Sequence, residues 1–167
     1  MKDLIPVPIK IAAVVLGSTA LYTYIGQLVP QKEVQPPAAA IELAADATPA
    51  DLAALGYEIA NSKGLCFTCH TVGHGGDAGL RFPDLDGIAV RAESRIEGLD
   101  ALQYMAHSIY FPDDFIVEGF SPGMPRIHKP PIGLTDQEIL TVLAFLQSLG
   151  GTPTVTPDTT LADLGIE

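Results

Sequence analysis

Hydrophobic positions along this chain fall into two kinds of arrangement: one unbroken run and several short periodic stripes. The run reads "IAAVVLGSTALYTYIGQLV", from Ile11 to Val29, nineteen residues without a charge. As a helix it would extend roughly 28 Å, about the hydrocarbon thickness of a bilayer. Lys2 and Lys10 precede it, and Tyr22 and Tyr24 suit the far interfacial belt. The run is longer than the apolar region of a secretory leader, and the nearest Ala-x-Ala pattern, Ala38 to Ala40, lies well beyond its end. The expectation is an uncleaved transmembrane helix over 11–29. A cleaved leader and a buried core helix are the alternatives. Two lysines before the span against Lys32 soon after it favour a cytoplasmic N-terminus over residues 1–10.

The periodic stripes lie further on. Leu52, Leu55 and Ile59 recur at helical spacing up to about Asn61. Thr48 stands as N-cap, Pro49 at the first position, and Asp51 completes a capping-box pattern. The segment "LTDQEILTVLAFLQSLGG" is the strongest helix pattern. Thr135 and Glu138 form its capping box, and Ile139, Val142, Leu143, Leu146 and Leu149 form its stripe. A third helix is predicted from about Asp100 to Tyr110, stopped by Pro112. No segment alternates with period two for long enough to predict a strand, so the class is all-α with long loops. Residues 30–47 are rich in Pro and Ala and read as a linker, with a reach on the order of 50 Å if extended throughout. Residues 48–150 form the globular domain. Residues 151–167 are a Thr/Pro tail without a basic residue, expected either to be disordered or to lie along a partner. A domain of about 100 residues buries a modest core and often needs a staple such as a cofactor.

Composition sharpens two points. The chain is 47% hydrophobic yet carries a net charge of −11, a conflict resolved only if the apolar residues are concentrated, as they are in 11–29. After residue 10 there are 7 Lys+Arg against 19 Asp+Glu, a balance of −12. That argues against nucleic acid as a partner, which needs a basic face, and against docking on anionic lipid. What remains is a solvated acidic surface, or steering toward a basic partner.

Both cysteines lie in "GLCFTCHTVG", residues 64–73. Cys66-x-x-Cys69-His70 has the pattern of covalent c-type haem attachment. Two thiols add across the vinyl groups, and the adjacent imidazole reaches the iron from one face. Structural zinc would need a second Cys or His pair, and none is present. A redox dithiol would need a βαβ context. A disulfide across three residues would constrain little. With one haem c attached, a second axial position needs a ligand. The candidates are Met105, Met124, His74, His107 and His128. Met105 falls in a helical pattern with Leu102, where methionine fills cores. His74 lies close to His70 in a Gly-rich loop, and His107 and His128 suit solvated positions. Met124 sits between Gly123 and Pro125 in "GFSPGMPRI", an apolar side chain on a loop of fixed shape. His70 and Met124 are therefore the expected iron ligands, a pairing that raises the potential and closes the iron to substrates.

With these motifs in this order, residues 48–150 resemble the monohaem class I cytochromes c. A helix, CxxCH, a Pro-x-Leu loop, a Met loop and a C-terminal helix follow one another as in that family. The resemblance implies the class I fold, all-α around a covalently bound haem, with an N-terminal transmembrane helix added here. It implies that the first and last helices cross closely, with Gly56 and Ala60 admitting the Leu143/Leu146 stripe. In "FPDLDGIAVR", Pro83 would offer its carbonyl to the His70 Nδ1–H. Leu85 would pack on the porphyrin, and Arg91 would pair a haem propionate. The plain readings of these three are a turn proline, a core leucine and a surface arginine. The stretch "MAHSIYFPDDFIVEGFSPGMP" is similar to segments before the Met in cytochrome domains of membrane redox enzymes, where an acidic residue often stands in place of His107. The cytochrome c′ group does not fit, since its CxxCH lies near the C-terminus.

The function these readings imply is electron transport, not enzymatic bond chemistry. A membrane-anchored monohaem c-type cytochrome would pass single electrons from a quinol-oxidising complex to a haem-copper terminal oxidase or a photosynthetic reaction centre. Its haem domain would lie on the periplasmic side of the inner membrane, in a respiratory or photosynthetic chain. The alternative is a fixed cytochrome c subunit of a large oxidoreductase complex, with anchor and tail as docking elements. A vacant-iron enzyme or sensor and a zinc-stapled interaction domain are more distant rivals.

Overall fold

The computed structural model describes residues 5–29 and 43–166. They fall into two units, divided within the Pro/Ala-rich stretch. Most of the expected linker, residues 30–42, lies outside the described residues, as do residues 1–4 and 167. Among the described residues every regular element is helical.

The first unit is α1, Val7–Leu28. It starts four residues before the predicted span, because Pro8 in the first turn lacks only an N–H that a helix start leaves unpaired anyway. Lys10 is thereby drawn into the helix. All of α1 is exposed, including Val14, Leu16 and Tyr22. It is long and apolar enough to cross a membrane, and a helix apolar all round finds its solvent in lipid or in a protein core.

The second unit is built on α2 (Pro49–Asn61), α3 (Ile88–Arg91), α4 (Ala101–Tyr110) and α5 (Asp136–Ser148). Its three long helices begin at capping boxes. In α2, Asp51 N–H donates to Thr48 Oγ1 and Thr48 N–H to Asp51 Oδ2, at 3.3 and 3.0 Å. Thr135 and Glu138 repeat this at α5, and Asp100 with Gln103 does so at α4. Each box satisfies amides that a helix start otherwise leaves unpaired.

Helices α2 and α5 cross in backbone contact. A Cβ on Gly56 would fall 1.9 Å from the Thr141 carbonyl oxygen, so only glycine fits. Gly56 meets α5 at Thr141 and Val142, directly before Leu143 of the expected stripe. Beside it, Lys63 Nζ donates to both carboxylate oxygens of Glu138, at 2.8 and 2.7 Å. Glu138 is only 2% exposed, and Thr135 N–H also donates to it at 2.8 Å. Both oxygens of this buried carboxylate are therefore paired.

The tail departs from expectation. Residues 151–166 belong to the second unit and pack against its core rather than lying free. Val155 and Leu164 are each 1% exposed, and Ile166 is 7%. Gln147 on α5 takes the place of a strand partner. Its Oε1 accepts from Thr154 N–H and Val155 N–H, and its Nε2 donates to Thr154 Oγ1. A turn capped by Thr160 and Asp163 then returns Leu164 and Ile166 to the core. Burying Val155 and Leu164 is worth about 1.5–3 kcal/mol each, enough to order a segment whose composition reads as a linker.

Candidate functional site

Cys66 opens a 3-10 turn, Cys66–Thr68, and Cys69 caps its end. Leu65 before it takes a left-handed conformation, φ 55°, uncommon for a branched residue and a means of reversing the chain after α2. The His70 N–H donates to the Cys66 carbonyl at 2.9 Å. This folds the Cys-x-x-Cys-His segment so tightly that both thiols and the imidazole reach one cavity. Burial pushes the Cys66 thiol above its ordinary pKa, while Cys69 is exposed at the rim.

The cavity is about 290 Å³ and largely apolar. Cys66, Cys69, His70, Pro83, Leu85, Arg91 and Met124, the seven residues singled out from sequence, all line it. They come from α2's exit turn, the 83–87 loop, α3 and the loop before α5. Phe145 of α5 and Tyr104 and Met105 of α4 close the remaining walls.

His70 Nδ1 lies 2.8 Å from the Pro83 carbonyl oxygen. A carbonyl only accepts, so Nδ1 carries a proton and Nε2 is the ring nitrogen left for another partner. The loop carrying Pro83 is held in turn. Leu85 N–H donates to the Thr71 carbonyl at 2.8 Å, and Arg91 donates through Nη1 to the Asp86 carbonyl and through Nη2 to the Asp84 carbonyl. Arg91 Nε remains, buried and without a partner.

The rival ligands separate by position. His74 Nδ1 lies 3.0 Å from the Gly76 carbonyl in an exposed loop. His107 is 3.7 Å from Asp114 and stacks near Phe111. His128 packs on Tyr110, ring centroids 4.9 Å apart. None of the three lines the cavity, whereas Met105 and Met124 both do. Met105 is fully buried on α4 among core side chains, and Met124 stands on the loop.

Sequence reasoning missed Arg95, which also lines the cavity. No periodic signal pointed to it, since the sequence predicts no helix there and a 3-10 turn, Ala92–Ser94, separates it from Arg91.

These residues fit a haem on two physical grounds. An apolar slot edged by two thiols and an imidazole matches the macrocycle, its vinyl edge and its iron. The orphaned Arg91 Nε, with Arg95 beside it, is a charged donor that needs the kind of acceptor a propionate supplies. The family model described as cytochrome c matches residues 53–150, from the second turn of α2 to just past the end of α5. No curated protein matches the chain. The slot, the motif that opens it and the matched span lead to one assignment: this chain belongs to the cytochrome c family, electron-transfer haem proteins with one covalently bound haem c.

Proposed function

We propose that this protein is a membrane-anchored one-electron carrier with His70 and Met124 as axial ligands. The observation that carries the reading is the meeting of the Cys66–His70 turn and Met124 on opposite sequence flanks of one apolar cavity. When bound, the haem supplies a reversible one-electron couple, and the chain's residues set its surroundings. Cys66 and Cys69 hold the edge. His70 presents Nε2 because Pro83 holds the proton on Nδ1. Leu85, Phe145 and Tyr104 exclude water, while Arg91 and Arg95 receive the propionates. Met124 would hold the iron through its thioether, a ligand that keeps small molecules away and suits outer-sphere transfer.

Residues 11–29 would anchor the domain, with residues 30–167 on the periplasmic side. The electron donor would be a quinol-oxidising complex, and the acceptor a haem-copper oxidase or photosynthetic reaction centre. The acidic surface suits partners with basic docking faces. The ordered tail, buried in its own domain, favours a tethered carrier over a subunit that docks through its C-terminal segment.

Met124→Ala tests the ligand set. The sulfur–iron absorption band should vanish, the reduction potential should fall, and the reduced protein should gain CO binding. An unchanged spectrum would remove Met124 from the ligand set. Co-purification at fixed stoichiometry with a multi-subunit complex, after detergent extraction, would replace the carrier reading with the subunit reading.

A further inference from the structure

The function described so far gives no task to Asp84. It follows Pro83 directly and is 1% exposed, yet among the described residues its carboxylate forms no ion pair with a lysine or arginine. Its partners are a hydroxyl and backbone amides. Thr71 Oγ1 donates to Oδ1 at 2.9 Å, and His74 N–H donates to Oδ2 at 3.0 Å. Burial alone would raise its pKa, but the bonds from Thr71 and from the Asp86, His74 and Gly76 amides outweigh burial and hold it below the usual carboxylate range. The group is a buried fixed negative charge. Its own N–H is held by Asp77 Oδ1 at 2.8 Å, and its carbonyl by Arg91.

The placement matters more than the burial. Thr71 is the neighbour of His70, and Asp84 is the neighbour of Pro83. The Thr71–Asp84 side-chain bond and the Leu85–Thr71 backbone bond therefore flank the His70–Pro83 bond in register. Neither His70 nor Pro83 can withdraw from the other without breaking a buried hydrogen bond to a carboxylate, which is among the stronger kinds.

We infer that Asp84 is a positioning residue that sets the reduction potential by locking the Pro83 carbonyl onto His70 Nδ1 and by placing a negative charge on the proximal side. Both effects favour the oxidised iron. The lock keeps the imidazole electron-rich, and the charge stabilises the state with one more positive charge. Loss of Asp84 therefore shifts the couple toward the reduced form.

The test is a redox titration of the full-length haem-loaded protein and its Asp84→Asn variant. Asparagine keeps the volume and one acceptor but removes the charge. The expected result is an increase of about tenfold in the ferrous-to-ferric ratio at fixed applied potential, equivalent to about 59 mV for one electron. A change below about twofold, with the absorption spectrum and melting temperature read alongside, overturns the proposal and leaves Asp84 a structural residue only. If Asp84→Asn fails to fold or to take up haem, Thr71→Val decides. It removes one hydroxyl and no charge, and the His70 Nδ1 proton should then exchange with solvent several-fold faster; an unchanged rate overturns the lock. The proposal rests on His70 as axial ligand. Failure of that reading would show as the absence of a low-spin spectrum in the unmodified protein, whereas failure of the Asp84 proposal leaves that spectrum intact.

Discussion

The two walls of the haem cavity are held by different physics. The histidine wall, residues 66–87, is sewn together by side chains: Thr71 and His74 to Asp84, Asp84 to Asp77, His70 to Pro83, and Arg91 to two loop carbonyls. The methionine wall, residues 116–125, shows among the described residues one local backbone bond, Phe120 N–H to Val117 O. Its shape comes instead from Pro122, Gly123 at φ 150° and Pro125, and from Met124 and Phe115 resting on the core. A hydrogen-bonded wall fixes a ring's orientation and protonation, whereas a packed wall fixes only where a thioether comes to rest. The difference assigns rigidity to the histidine side and leaves the methionine side as the first to open.

The largest effect should come from removing an anchor of the sewn wall. His70→Ala should abolish the low-spin haem spectrum and sharply lower the yield of haem-loaded protein. Met124→Ala should keep both the covalent haem and the fold, so equal losses of loaded protein would erase the distinction between the walls. A change in the shared base should weaken both walls together. Gly56→Ala puts a Cβ against the Thr141 carbonyl and should cost about 3 kcal/mol, seen as one cooperative drop in the thermal melt. Leu164→Ala tests the tail. A cost of about 2–5 kcal/mol in denaturant titration is expected for a fully buried leucine, and a value near zero would return the tail to the surface.

Acid should act through the base before it reaches the methionine wall. Burial raises the Glu138 pKa, but Lys63 and Thr135 more than offset this, so the folded value lies below the ordinary 4.5. The stabilisation is complete above 4.5 and is lost as pH falls through the depressed folded value. Denaturant midpoints measured from about pH 7 to about pH 3 should fall in acid, and Glu138→Gln should flatten that fall. The smallest effect is expected in native-state hydrogen exchange. The Phe120 amide should exchange ahead of those of His70 and Leu85, and the reverse order would mean that the methionine wall is the stiffer one.

How much of this could be read beforehand depended on whether the cause was local. Two of the capping boxes were legible because Thr48/Asp51 and Thr135/Glu138 carry their geometry within four residues. The Cys66–His70 turn was legible for the same reason. Met124 was legible from its place between Gly123 and Pro125 on a fixed loop, whereas Pro83, Leu85 and Arg91 came from family resemblance, since no spacing rule brings those segments together. The close approach of α2 and α5 was expected, but its contact at the Thr141 carbonyl was not, because a stripe gives the face of a helix and not the level at which a partner's glycine meets it. The tail was misread because Val155, Leu161, Leu164 and Ile166 follow no period and sit among Thr and Pro. Their burial depends on Gln147, whose sequence looks like any exposed helical glutamine. Asp84 escaped notice because an aspartate in a loop next to proline reads as solvated, and only the return of residues 71–74 covers it.

The folded-back tail also lengthens the loops that the core must close. Leu164 and Ile166 share one buried cluster with Leu52 of α2, more than a hundred residues earlier in the chain. Contacts so far apart in sequence are won only after the entropy of a long loop has been overcome. The tail therefore adds non-local contacts to a domain whose helices start from local signals, and the last part of the core to form is set by topology rather than by helix propensity.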